Sequence, residues 1–146
     1  MEQLLVKRLR PGAVLPYRGT PGSAGADLCA CLEQPLVLNP GETAKIPTGI
    51  AVSFGGVDRV ALVFGRSGLG INHGIVPANA VGVVDSDYRG EIIVGLRNAS
   101  QSAYTFQNGD RIAQLVVVPV LTPQILEVSQ LDDTHRGTAG FGSTGR

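Results

Sequence analysis

Glycine and proline interrupt this chain so often that few stretches between them are long enough to wind into a helix of ordinary length. The apolar runs that survive are short and regularly spaced. Leu36-Val37-Leu38 precedes the turn Asn39-Pro40-Gly41-Glu42, and Ala44 to Ile46 and Ile50 to Phe54 flank Pro47-Thr48-Gly49. Val60 to Phe64 follows Gly55-Gly56, and Glu91 to Arg97, Tyr104-Thr105-Phe106 and Ile112 to Leu121 are divided by Asn98 to Ser102 and by Asn108-Gly109. Short apolar segments bounded by turn formers read as strands. The expected fold class is therefore all-β: a jelly-roll-like sandwich or barrel of many short strands, with at most one short helix near Ser67 to Asn72.

A chain of 146 residues with 43% apolar content suffices for one domain and its core. Its twelve basic and twelve acidic side chains balance, whereas a nucleic-acid surface or an anionic membrane calls for a basic excess. A small-molecule ligand fits better, with no nucleic acid and no membrane. The longest apolar run, Leu115 to Leu121, contains Pro119 and is far shorter than the roughly 20 residues that span a bilayer. Met1 to Arg8 lacks the apolar core of a secretory signal, so a cytoplasmic location is expected. Cys29 and Cys31 are one residue apart, which would put both on the same face of a strand. They read as core-packing thiols in a reducing compartment, since a disulfide between them would be strained and no set of zinc ligands accompanies them.

Ile112 to Leu121 is apolar on both faces rather than alternating, so it needs cover on both sides. An intrachain core or a subunit interface can supply the second cover. Residues 1–128 are expected to form the β core. Residues 129–146, polar and rich in glycine, are expected to form an extended C-terminal arm of the same domain. Fully extended, the final 17 residues of this arm would reach roughly 55 Å, against about 38 Å for the width of a compact domain of this size. It is long enough to touch a neighbouring molecule.

Gly140-Phe141-Gly142-Ser143-Thr144-Gly145 matches the dinucleotide pattern G-x-G-x-x-G, but the strand, helix and distal acidic residue that this pattern requires are missing. Such a segment can still wrap phosphate oxygens with backbone N–H groups and hydroxyls. Four more segments go with it: Ser23-Ala24-Gly25-Ala26-Asp27-Leu28, Arg66-Ser67-Gly68-Leu69-Gly70, Gly82-Val83-Val84-Asp85-Ser86-Asp87-Tyr88-Arg89-Gly90, and Gly109-Asp110-Arg111-Ile112-Ala113-Gln114-Leu115. Taken in order, with Arg136-Gly137 joined to the glycine-rich tail as the fifth, they resemble the five motifs of the trimeric dUTP pyrophosphatases. The resemblance spans residues 23–145.

What the resemblance implies is hydrolysis of dUTP to dUMP and pyrophosphate, by attack of water on the α-phosphorus. Asp85 matches the aspartate that activates the water; on spacing alone it would read as a turn carboxylate. Arg66, Ser67 and Gly68 match the phosphate-binding segment, and Gln114 a polar contact near the α-phosphate. Arg136, Phe141, Gly142, Ser143 and Thr144 match the closing arm, with Phe141 stacking on uracil. Tyr88 matches the residue beneath deoxyribose that leaves no room for a 2′-hydroxyl, while Asn79 and the backbone near Val84 and Ile93 match the uracil contacts. Magnesium is implied by the triphosphate, with Asp27 touching it indirectly through water, and a homotrimer with sites shared between subunits is implied as the assembly. Residues 79–94 read as a β-hairpin with Asp85 where its first strand meets the tip. Gly65 stands where proline is usual and Gly70 where alanine is usual, and His73 and His135 match no requirement of the family. Two other readings are a dCTP deaminase-like enzyme, which needs a glutamate on the returning strand, and a non-hydrolytic binding module of the same fold.

Overall fold

The structure, a computed structural model, describes residues 3–135 and 137–138. Its strands are β1 (Leu5–Arg8), β2 (Ala26–Cys29), β3 (Leu36–Leu38), β4 (Thr43–Pro47), β5 (Ile50–Ser53) and β6 (Arg59–Phe64), then β7 (Ile75–Pro77), β8 (Gly82–Val84), β9 (Ile93–Asn98), β10 (Tyr104–Phe106) and β11 (Arg111–Pro119). The helix α1 (Ser67–His73) lies between β6 and β7. Most boundaries fall at the glycine, proline and asparagine turns read from the sequence. Gly74 ends α1 in the left-handed conformation, at φ 65°. A Cβ at this glycine would also lie 2.9 Å from the Cβ of Ser100, so both backbone and space select glycine.

All strand pairs are antiparallel, in the sheets β2-β11-β6-β8, β4-β9-β7, β1-β5 and β10-β3. The two larger sheets face one core. Leu28, Ala61, Val63 and Leu115 from the first meet Ile46, Ile75, Val94 and Leu96 from the second, with Phe106 completely buried among the same cluster. This is the sandwich expected from period-two burial on paired strands.

Three local expectations change. Residues 79–94 do not form a hairpin ladder: β8 pairs with β6, whereas β9 pairs with β4 and β7. The two strands belong to different sheets and a cleft opens between them. Second, Cys29 and Cys31 do not share one face, because β2 stops at Cys29. Cys31 joins the main core, while Cys29 is buried outside it, opposite Arg111. Third, β11 is only partly covered. Ile112, Ala113 and Leu115 are buried, but Val117 is 38% exposed. Beyond the main-chain bond from Val120 N–H to Asp58 O, the described residues through 135 contain no strand or helix. Leu121, Ile125, Leu126 and Leu131 there are all exposed.

Candidate active site

The cleft between β8 and β9 holds about 270 Å³ and is lined by Asn79, Gly82 to Asp85, Tyr88 and Glu91 to Gly95, with Val63 and Pro77 behind. Its walls are strand edges. Among the described residues β8 ends its sheet and bonds only β6, and the β7–β9 ladder covers only Leu96 to Asn98. Ala78 N–H then reaches Gly95 O, so the stretch Ile93–Val94 and strand β8 face one another across the gap without a ladder between them. Among the described residues, main-chain donors and acceptors with no ladder partner therefore line a slot bounded by Val84 and Ile93.

Asp85 follows the last residue of β8, at the mouth of this cleft. Tyr88 N–H bonds Asp85 O at 3.2 Å, which closes the turn. The Tyr88 hydroxyl donates to Glu91 O at 3.1 Å, and its ring lies over Gly90, where a Cβ would collide with ring atoms. Upstream, Val81 N–H reaches back to Asn79 O at 2.7 Å across Ala80, whose φ is 63°. That is a γ-turn on a non-glycine residue, and such strain is characteristic of positions held by function. Asn79, on its near side, lines the cleft.

A second cleft, of about 360 Å³, is lined by Gly19, Ser23 to Gly25, Asp27, Arg66, Ser67, Arg111 and Gln114. Arg66 precedes α1 in an extended conformation and donates from Nε to Asp27 Oδ1 at 2.8 Å. Arg111 approaches Asp27 Oδ2 at 3.4 Å, and Gln114 Nε2 donates to Gly65 O at 2.9 Å. In a regular strand Arg111 and Gln114, three apart, would point to opposite faces. A bulge between Arg111 and Ala113 inserts one residue, so Arg111 pairs with Cys29 and Gln114 with Asp27, placing both on Asp27's face. Arg111 was not among the site residues expected from the sequence. The signal was the consecutive apolar pair Ile112-Ala113, buried on the core side, which breaks the alternation. Gly68 lines an adjoining groove that shares Arg66 and Arg111. Gly65, where proline is usual, lies against Pro77, whose Cδ would be 2.9 Å from a Cβ at position 65; a proline ring fills that space from the other side.

Beneath this cleft the Cys29 thiol is held above its usual pKa, first by burial and then by the charge of Asp27, partly offset by Arg111 and Arg66. The thiol is free and buried, the setting of a structural cysteine. Burial and Asp110 likewise raise Tyr104, whose ring packs against Phe106 and against the exposed His73. The donor set suits magnesium only at arm's length. Asp27 already receives Arg66, and its Oδ2 has just the long Arg111 contact, leaving lone pairs for a water of a hydrated cation. Among the described residues no three potential ligands cluster.

The two clefts share no residue. Since β8 runs antiparallel to β6 with Val84 opposite Ala61, Asp85 lies toward the start of β6, whereas Arg66 follows its other end. The chain from Ala61 to Arg66 spans about 16 Å when extended. Arg136, Phe141, Gly142, Ser143 and Thr144 lie outside the described residues.

A model of the dUTPase family matches residues 12–145. The chain belongs to the dUTPase family. It is 49% identical, over 99% of its length and 95% of the relative's, to a deoxyuridine 5′-triphosphate nucleotidohydrolase of Idiomarina loihiensis. It is 50% identical to that of Leptothrix cholodnii, covering 90% of this chain and 88% of the other. Among solved structures, a mutant dUTPase of Staphylococcus bacteriophage 80alpha with dUpNHpp superposes with a TM-score of 0.90 at 29% identity, covering 100% of both chains. A mutant dUTPase of phage phi11, described as coordinating a structural Mg(II) ion, gives 0.80 at 27% identity over 90% of this chain and 99% of that one. Both clefts of this dUTPase-family chain fall inside the matched residues. No described helix is long and apolar enough to cross a membrane.

Proposed function

We infer that this chain hydrolyses dUTP to dUMP and pyrophosphate, with the nucleoside in the β8–β9 cleft and the phosphates in the cleft of Asp27, Arg66 and Gln114. The observation that carries the reading is Asp85, placed at the mouth of a slot whose two walls are unpaired strand edges. Such edges suit a planar base with alternating donors and acceptors. An acceptor for N3–H and a donor for O4 reject cytosine by leaving polar groups unpaired. Asn79 and the backbone at Val84 and Ile93 meet the uracil edge, and Tyr88 stands against the deoxyribose.

Water attacks the α-phosphorus in line and passes its proton to Asp85, while the bond to the bridging oxygen breaks and pyrophosphate leaves. A positioned base contributes about 10² to 10⁴ in rate. The rest is positioning and charge neutralisation, supplied by Arg66, Ser67, Gly68 and Gln114, with Arg136, Phe141, Gly142, Ser143 and Thr144 closing the site from the 129–146 arm. Bound Mg²⁺ would neutralise phosphate charge, with Asp27 holding its water shell.

The functional unit is a homotrimer whose sites are shared between subunits. A base and the donors to one triphosphate must act within a few ångströms of each other, yet Asp85 and Arg66 lie toward opposite ends of β6. Exposed Val117, Leu121, Ile125 and Leu126 supply apolar surface for that contact. In a reducing cytoplasm Cys29 and Cys31 stay thiols.

The test is pyrophosphate release from dUTP, dTTP, UTP and dCTP, with ammonia followed for dCTP. A kcat/KM for dUTP far above the other three is expected. Equal values for dUTP and dTTP would sink the proposed pocket, because the slot would not close around C5, and ammonia from dCTP would replace hydrolysis by deamination.

A further inference from the structure

Glu91 lies where the loop that carries Asp85 and Tyr88 returns to the body, and it makes more long-range bonds than any other residue of that loop. Its carboxylate is only 17% exposed. One oxygen accepts the Gly49 N–H at 2.7 Å; the other is ion-paired with Arg10 Nη2, also at 2.7 Å. Its carbonyl accepts the Tyr88 hydroxyl. Arg10 is itself fixed to the same place, because Leu9 N–H bonds Gly49 O at 2.8 Å and the Arg10 stem packs against Gly49. The next residue, Ile92, exchanges main-chain bonds with Thr48 and Ile50. Three segments distant in sequence thus meet at Glu91: the one after β1, the β4–β5 turn, and the returning limb of the loop.

The two limbs of the loop are held differently. The outgoing limb, which ends in Asp85, is fixed by the β8–β6 ladder. The returning limb has the Glu91 junction, and the tip between them is tied mainly to itself: Tyr88 N–H bonds Asp85 O, and Arg89 Nη1 bonds the carbonyls of Ser86 and Tyr88. The height of the Tyr88 ring in the cleft wall is therefore set by the carbonyl that its hydroxyl meets. That carbonyl belongs to Glu91.

We propose that Glu91, clamped by Arg10, is a positioning residue that sets discrimination against the 2′-hydroxyl by fixing where Tyr88 stands. This rests on the reading that Tyr88 faces the deoxyribose. It extends the site to Arg10, which lines neither cleft. Loosening the clamp lets the ring withdraw and admits a ribose, while Asp85, anchored through β8, keeps its place. The predicted signature is a loss of selectivity without a loss of turnover on dUTP.

The experiment compares kcat and KM for dUTP and UTP in the wild type, Arg10→Ala, Glu91→Gln, Tyr88→Phe and the pairwise doubles, with thermal stability measured in parallel. Arg10 is 43% exposed, so its loss is tolerable to the fold and its pair is worth the modest energy of a partly exposed bridge. The dUTP-to-UTP ratio of kcat/KM should fall about two- to fivefold in Arg10→Ala, with kcat on dUTP within about twofold of wild type. Glu91→Gln keeps an acceptor for Gly49 but not the charge, and should fall similarly. Adding Arg10→Ala to Glu91→Gln or to Tyr88→Phe should cost little more, because each breaks the same chain of contacts. An unmoved ratio in Arg10→Ala, or full additivity of the doubles, overturns the proposal even if stability drops. A wild type that already turns over UTP as well as dUTP overturns it differently, by removing Tyr88 from the sugar.

Discussion

Replacing Gly25 by alanine should destabilise the protein although its backbone there suits any residue. Gly25 is not among the positive-φ glycines, and at such a site alanine would ordinarily gain about 0.4–1 kcal/mol by restricting the unfolded chain. The contact reverses the sign. The new Cβ would lie 2.5 Å from Gln114 Oε1, 3.1 Å from its Cβ and 3.2 Å from its Cδ. The amide end can swing away, but this breaks its 2.9 Å bond to Gly65 O, at about 1 kcal/mol. The Gln114 Cβ is fixed to β11 and cannot move, which adds part of the roughly 1–3 kcal/mol that overpacking costs. A net loss of about 1–3 kcal/mol should lower Tm by roughly 3–10 °C at fixed protein concentration. Pyrophosphate release should fall with it, because Gln114 leaves the phosphate cleft. Calorimetry of Gly25→Ala alone and with Gln114→Ala decides the matter: in the double variant only the 3.1 Å contact remains, and the cost of the alanine should shrink below about 1 kcal/mol. A rise in Tm for Gly25→Ala, or the same cost with and without the Gln114 side chain, would refute the steric argument.

Asp85→Asn should preserve folding and nucleotide affinity while lowering turnover by at least about 10²-fold; a collapse of affinity at unchanged kcat would make Asp85 a ligand holder instead of a base. Cys29 should resist thiol reagents at pH 8 until the protein unfolds, since burial holds its pKa up, and rapid labelling of the native protein at Cys29 would contradict that. The folded thiol titrates above the unfolded value of about 8.5, so its contribution is complete below that pH and is lost as pH rises from there through the folded pKa. Denaturant midpoints measured between pH 7 and 10 should show a smaller alkaline decline in Cys29→Ala than in the wild type; identical declines would remove the thiol from the explanation.

Most of the strands were legible because their signal is local: Asn39-Pro40-Gly41-Glu42, Pro47-Thr48-Gly49 and Asn108-Gly109 stop segments where the backbone must turn, whereas β1 and β7 carry no such paired signal. Sheet membership is not local. Residues 79–94 carry every mark of a hairpin, yet β8 and β9 find other partners, and the cleft exists because they do. Arg111 was hidden by one bulged residue, which a period-two reading places on the wrong face. The junction of Arg10, Gly49 and Glu91 joins residues 42 and 81 positions apart, a distance over which no spacing rule operates. Asp85 and Arg66 were recognisable by resemblance, but their placement toward opposite ends of β6 required the register.

That placement makes the proposed completion of the site between chains directly measurable. Asp85→Asn and Arg66→Gln chains, each defective alone, are unfolded together, reassembled at equal ratio and assayed for pyrophosphate release from dUTP, with mixed trimers confirmed by mass spectrometry. If Asp85 of one chain serves the Arg66 cleft of the next, random exchange around a closed ring leaves about a quarter of the sites whole, and activity should recover to about that fraction of wild type. If one chain supplies both residues to each site, every site keeps one defect. Activity no higher than that of the separate variants would contradict the shared site.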